Sequence, residues 1–172
     1  LCLCDSFNIP LVFFHDTPGF LVGKAAERSR VAARVMNYMN ALGLITVPKI
    51  SVIVRKTYGM AFWNMAGSGC GVNFIVAWPT AEMSFVSPEI AANVVFGGKI
   101  PATGRDKKAW EELVQQMVDD ASPYGAAGMH YIHDVIDPRK TRNYISRALK
   151  ISRGDRNKGI GEHRLTNWPT KF

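Results

Sequence analysis

The stretch from Ile50 to Phe62 constrains the fold most. A β-branched run, Ile50 to Val54, passes through Arg55-Lys56-Thr57-Tyr58 and stops at Gly59, and a short apolar helical pattern follows at once. A strand that turns directly into a helix leaves the first helical N–H groups without intrahelical acceptors. Such groups can hold negative charge developing on an oxygen. The donors would be the amides of Met60 and Ala61, with Gly59 giving the backbone its freedom to turn. A plain strand–turn–helix junction has the same pattern, so this segment alone leaves both readings open.

The rest of the chain alternates short apolar runs with helical periodicity. Leu11 to Phe14 reads as a strand buried on both faces and ending at Thr17-Pro18-Gly19. Val31, Val35, Met39 and Leu42 recur at helical spacing within one helix from Lys24 to Leu42, with Gly43 at its end. Strands are expected at Lys49 to Val54, Phe74 to Trp78 and Met83 to Val86, with a short helix from Ala61 to Ala66. Pro88 opens an alanine-rich helix running to Gly97-Gly98, and Pro101 to Arg105 is a loop. Asp106 is then placed to cap a helix presenting Trp110, Leu113, Val114 and Met117 on one face. A helical turn from Pro123 to Ala127, an extended Ile132 to Ile136, and a helix opened by Asp137-Pro138 and running to Ile151 complete the pattern. The order predicts an α/β fold with parallel strands and right-handed crossovers. Residues 1–153 form the domain, and 154–172 form a polar C-terminal tail without periodicity.

The 172 residues suffice for one domain with a sizeable core, and 47% apolar with 20% charged is ordinary globular composition. The net charge of +7 comes without a polybasic run. It reads as a solvated basic face able to attract an anionic ligand, rather than as a nucleic-acid surface. No apolar stretch reaches membrane-spanning length. Three cysteines give no disulfide framework and fit a reducing compartment, cytoplasm or mitochondrial matrix; Cys2 and Cys4 read as small core residues of a first strand. Leu1 opens inside a structured segment without an initiator Met, as in a fragment or an excised domain.

Other candidate groups have weaker chemistry. His15 and Asp16 sit at a strand's C-terminal end, where α/β sheets tend to bind ligands. His15 reads as a satisfied strand-end histidine before a general base, and Asp16 as a loop-holding Asx group before a ligand contact. Gly67-Ser68-Gly69-Cys70-Gly71 lacks the Lys-Ser/Thr of a phosphate-binding loop and fits the close packing of a helix end. Neither Ser68 nor Cys70 has a base beside it in sequence. Glu89 lies in a first helical turn, where the dipole favours it, and nothing places a partner carboxylate beside it or Glu82. His130 and His133 lack a third ligand, so no metal site is expected.

Five blocks, FNIPLVFFHDTPGF, ITVPKISVIVRKTYGMAF, FIVAWPTAEMSF, ASPYGAAG and VIDPRKTR, follow one another through Arg142. In this order they resemble the C-terminal half of the carboxyltransferase subunit of biotin-dependent acyl-CoA carboxylases. The resemblance implies a crotonase-like fold, a spiral of β-β-α units with surrounding helices. It implies carboxyl transfer from carboxybiotin to the α carbon of an acyl-CoA thioester. In that chemistry a biotin enolate takes the α-proton, and the thioester enolate attacks CO2.

The same resemblance places the biotin-facing amide pair on Met60 and Ala61, with Gly59 before them. Thr17, Pro18, Gly19 and Phe20 then form a wall or lid of the biotin pocket, and Phe62 and Trp63 line the region beyond the donors. Biotin would arrive on a partner protein or domain. The implied partners are an N-terminal carboxyltransferase half, biotin carboxyl carrier and biotin carboxylase subunits, and further copies in a homo-oligomer. Met60 stands where the family usually has the second glycine of Gly-Gly-Ala. Two rival readings accompany this one: a subunit of a biotin-dependent acyl-CoA decarboxylase, and a non-catalytic assembly module in which the Met60 side chain fills the biotin pocket.

Overall fold

Ile50, Val52 and Ile53 are fully buried, because the strand they form receives neighbours along both edges and layers on both faces. The computed structural model describes residues 1–95, 97 and 104–152. Within them β1 (Leu11–Thr17), β2 (Lys49–Tyr58), β3 (Phe74–Ala77), β4 (Glu82–Ser84) and β5 (Asp134–Val135) form one sheet in the order β1-β2-β3-β5, with β4 also on β2. Every pairing is parallel, as the apolar strand runs predict. One edge of β2 serves two partners in succession: Ile50 to Ile53 pair with Phe74 to Ala77, then Lys56 to Tyr58 pair with Glu82 to Ser84. β2 therefore extends to Tyr58, beyond the expected end at Val54.

Val52, Val76 and Ile136 form the core on one face of the sheet, joined by Tyr144 and Ile145 of α8 (Thr141–Ile151). Ile53 and Ile75 point the other way, toward Phe62 of α4 (Met60–Asn64) and Ala126 of α7 (Pro123–Gly128). This alternation is the period-two pleat of a strand buried on both faces. A third cluster, Ala41, Leu42, Ile45, Val47 and Ala66, packs around the end of α3 (Val31–Leu44). At the start of α8, a 3-10 turn at Pro138–Lys140 has Asp137 accepting from the Arg139 amide, the expected cap.

Five expectations need correction. Cys2 and Cys4 lie on a helix, α1 (Cys2–Ser6), not on a first strand. Buried Asp5 accounts for this: its carboxylate accepts from the Thr46 amide at 2.6 Å, the Thr46 hydroxyl at 2.9 Å and the Val47 amide at 3.3 Å. β1 is half-buried rather than covered on both faces, because it is an edge strand; Phe14 is 51% exposed. The single helix from Lys24 is two, α2 (Lys24–Arg28) and α3, broken where Arg30 takes the left-handed conformation at φ 55°. Gly43 sits inside the last turn of α3, and Ile45 takes the extended backbone that ends it. Asp106 lies within the first turn of α6 (Gly104–Asp120), not at its cap.

The half-buried residues of α6 are nevertheless Trp110, Leu113, Val114 and Met117, the expected face. The helix opened by Pro88 is α5 (Pro88–Val95). Gly98, residues 101–103 of the expected loop and the polar tail lie outside the described residues; Gly104 and Arg105 belong to α6.

Candidate functional site

The turn after β2 is fixed by one residue that no other type can replace without strain. Gly59 has φ 55° and ψ −135°, and a Cβ there would lie 2.8 Å from the Phe85 carbonyl oxygen. Its amide donates to the Ser84 carbonyl at 2.9 Å, and its carbonyl accepts from the Phe62 amide at 3.1 Å. β4 thus braces the turn from the side. The Tyr58 hydroxyl adds to the brace by donating to Glu82, and burial together with that carboxylate pushes the phenol above its usual range.

Met60 and Ala61 are the first two residues of α4, and no side chain caps it. Among the described residues neither amide has a hydrogen-bond acceptor. Met60 is not among the positive-φ residues, so the strained dihedrals fall on Gly59 and the position after it accepts a side chain. That side chain is 40% exposed and lines neither of the hollows flanking α4.

Trp63 and Phe62, with Gly59 and Thr57, border a hollow of about 280 Å³ closed by Met83, Phe85, Ala126, Met129 and Tyr131. The other hollow, about 490 Å³ and more open, lies between Phe20, Val31, Arg34, Val35 and Tyr38 and the end of α4 at Asn64 and Met65. The structure therefore gathers Gly59, Phe62 and Trp63 at one hollow and puts Phe20 at the other. Thr17 organises the loop that carries Phe20: its hydroxyl donates to the Gly19 carbonyl at 3.3 Å, and the Gly19 amide lies 3.4 Å from the same oxygen. Gly19 has φ 123°, and Pro18 precedes it in the same loop. Phe62 is only 8% exposed and packs its ring on the backbone at Gly67, where a Cβ would come within 2.6 Å. Within the glycine-rich segment after α4, Gly67 serves the close packing that the sequence indicates.

His15 is fully buried, and burial pushes its imidazole down to about 4, with the nearby Met65 carbonyl only partly offsetting this. Its Nδ1 lies 3.2 Å from the Thr57 hydroxyl, while Nε2 has no partner, so the strand-end histidine is half satisfied. Asp16 does not hold its loop through an Asx bond. It makes a two-pronged pair with Arg55 at 3.0 and 3.1 Å, where the β1–β2 register shifts between His15 and Thr17. Burial raises the Cys70 thiol, which makes it a poor nucleophile. Among the described residues no group of three His, Cys, Asp or Glu side chains could hold a metal ion. Sequence reasoning did not find Met83, Phe85, Met129 and Tyr131 as wall residues. They come from two separate segments, and only their apolar character marks them.

Residues 1–164 match the carboxyl transferase domain. The chain is 36% identical over 154 residues to the carboxyltransferase subunit of propionyl-CoA carboxylase from Haloferax mediterranei, covering 89% of this chain and 30% of that one. It is 36% identical over 160 residues to the alpha subunit of methylmalonyl-CoA decarboxylase from Propionigenium modestum, covering 90% of this chain and 30% of that one. The fold superposes on the crystal structure of transcarboxylase 12S, a hexamer with methylmalonyl-coenzyme A and methylmalonic acid bound, with a TM-score of 0.82 at 35% identity. That match covers 96% of this chain and 32% of the other. The chain thus spans about a third of the length of these proteins. With its parallel α/β architecture and this match along most of its length, the chain belongs to the carboxyl transferase domain family, has its crotonase-like fold and corresponds to the C-terminal half of such subunits.

Proposed function

We propose that this chain supplies the biotin-side half of a carboxyl-transfer site in a biotin-dependent acyl-CoA carboxylase. The observation that carries the reading is the pair of amides at Met60 and Ala61. They have no acceptor among the described residues and are presented by a braced glycine turn in a chain of this family. Donors fixed before charge develops need no reorganisation during reaction. These residues fit biotin, because a ureido carbonyl oxygen is the kind of acceptor the two amides lack. Bound biotin, brought by a carrier, would supply the carboxyl group for transfer to an acyl-CoA.

The chain's own part is to hold that oxygen on Met60 and Ala61, to keep the turn rigid through Gly59, and to shield the site. Thr17, Pro18, Gly19 and Phe20 form the shield on one flank, and Phe62 and Trp63 form it on the other. The partners we infer are an N-terminal carboxyltransferase half, biotin carboxyl carrier and biotin carboxylase subunits, and further copies of the subunit. The three cysteines are free, which suits the cytoplasm or mitochondrial matrix. No helix among the described residues is long and apolar enough to cross a membrane.

Met60→Pro tests the donor role directly. Proline is tolerated at the first position of a helix, so this change deletes one N–H and leaves α4 in place. In the full-length subunit with its carrier, turnover should fall by roughly a hundredfold or more, with the unfolding midpoint little changed. Turnover equal to the parent's would remove the amide from the mechanism. A decarboxylase subunit is the second reading, favoured by the similarity to the methylmalonyl-CoA decarboxylase subunit; it uses the same amides in the reverse direction.

A further inference from the structure

His15 takes no part in the donor function proposed for the turn, and its burial needs a reason. The imidazole is fully buried, and its Nε2 has no hydrogen-bond partner among the described residues. An apolar side chain would fill the same space without an unpaired polar atom. We propose that His15 is a positioning residue for the donor turn. Through Thr57 before Gly59, and through Phe62 and Met65 after it, His15 sets the direction of the Met60 and Ala61 amides. This rests on the carboxyl-transfer reading and adds a residue to that site.

Its contacts fall on both sides of the turn. Nδ1 lies 3.2 Å from the hydroxyl of Thr57, two residues before Gly59. The imidazole packs against the ring of Phe62, the residue after the donors, at 6.0 Å between centroids and a tilt of 59°. The carbonyl of Met65, where α4 ends, lies close to the imidazole as well. That carbonyl also accepts from the Ser51 hydroxyl at 3.1 Å, so the end of α4 is tied to the strand that feeds its start. A helix of five residues has too little internal hydrogen bonding to hold its own direction. The groups packed beneath it therefore decide where its first amides point.

The β1–β2 ladder shows how His15 comes to hold Thr57. His15 pairs with Ile53 and Thr17 with Thr57, so one residue of β1, Asp16, stands against three of β2, Val54 to Lys56. Extra residues of this kind bend a strand and re-aim its side chains, and they occur often beside active sites. Asp16 fastens the extra length by accepting from the Arg55 side chain at 3.0 and 3.1 Å. Thr57 is thereby brought within reach of the His15 ring, although the two are not ladder partners. Burial pushes the imidazole down to about 4. It is therefore neutral near pH 7 and holds Thr57 by a hydrogen bond without adding a charge beneath α4.

The test uses the full-length subunit with its biotin carrier, and whichever of acetyl-, propionyl- and octanoyl-CoA the parent carboxylates fastest. His15→Leu keeps a buried apolar group and removes the bond to Thr57. Misaligned donors should lower kcat at least about tenfold. KM for the acyl-CoA should stay within about twofold, since His15 is buried away from the thioester. Thr57→Val, of the same shape without the hydroxyl, should lose as much. The double variant should be no slower than either single one, because both act through one bond. His15→Asn, whose side-chain amide reaches the place of Nδ1, should return kcat to within about threefold of the parent. A folded His15→Leu or Thr57→Val with the parent's kcat overturns the inference and leaves carboxyl transfer standing. Losses that multiply in the double variant, or a His15→Asn as slow as His15→Leu, overturn it equally. Should His15→Leu fail to fold, Thr57→Val and His15→Asn decide. A folded parent holoenzyme that carboxylates none of the three thioesters rejects the carboxyl-transfer reading, and the inference falls with it.

Discussion

Two residues beside the site, Gly59 and His15, differ in how far sequence reveals them. Gly59 was legible, since a β-branched run cannot turn directly into a helix without a residue free to take its dihedrals. Met60 was legible as a helix-start residue with an unpaired amide but not as a tolerated departure from glycine; that required knowing that the positive φ falls on residue 59. His15 was misleading, because its place at a strand end gave no sign that α4 and the backbone at Met65 would cover it.

Its burial has a measurable consequence. The folded imidazole titrates near 4, below the usual 6.5 of an unfolded chain. Between those values the unfolded state takes up a proton that the folded state resists. The stability associated with neutral His15 is therefore full above pH 6.5 and is lost as pH falls toward 4, by on the order of 3 kcal/mol. His15→Gln, which removes the titration, should flatten this part of the curve of urea-unfolding free energy against pH. Parallel curves for parent and variant would show that His15 is not the cause.

At the scale of elements, strand and helix positions were readable wherever the signal was local. β2, β3, α4, α7 and α8 lie where periodicity and breakers put them, apart from shifts at their ends and the longer course of β2. The errors have one origin. α1 is only five residues long, too short to be stable by propensity, and it is held by contacts to a segment some forty residues away. Asp5→Ala would leave the Thr46 and Val47 amides without their carboxylate. It should cost about 3 kcal/mol in chemical denaturation. A loss well under 1 kcal/mol would mean that the cluster around Leu42 and Val47 holds α1 without it. The edge position of β1 was likewise invisible, since an apolar run looks the same with one neighbouring strand or two.

At the scale of the molecule, many large apolar side chains face outward. Leu21 is 78% exposed, Val22 88%, Phe85 79% and Val94 74%. Surface of this kind marks contact regions. The isolated chain should therefore sediment well above its own 19.1 kDa, and Leu21→Glu with Val22→Glu should shift it toward the monomer. A parent chain that sediments as a monomer at every concentration tested would assign these residues to ligands or to the remainder of the subunit. The sequence by itself determined the parallel α/β pattern, the glycine turn after β2 and the two amides it exposes. Each follows from dihedral preferences and hydrogen-bond counting over a few consecutive residues. Only the tertiary structure decided which strand lies at the edge, that His15 is buried, and that Thr57, Met83, Phe85 and Met129 surround one hollow. Those outcomes depend on how layers stack, and that brings together residues separated by tens of positions along the chain.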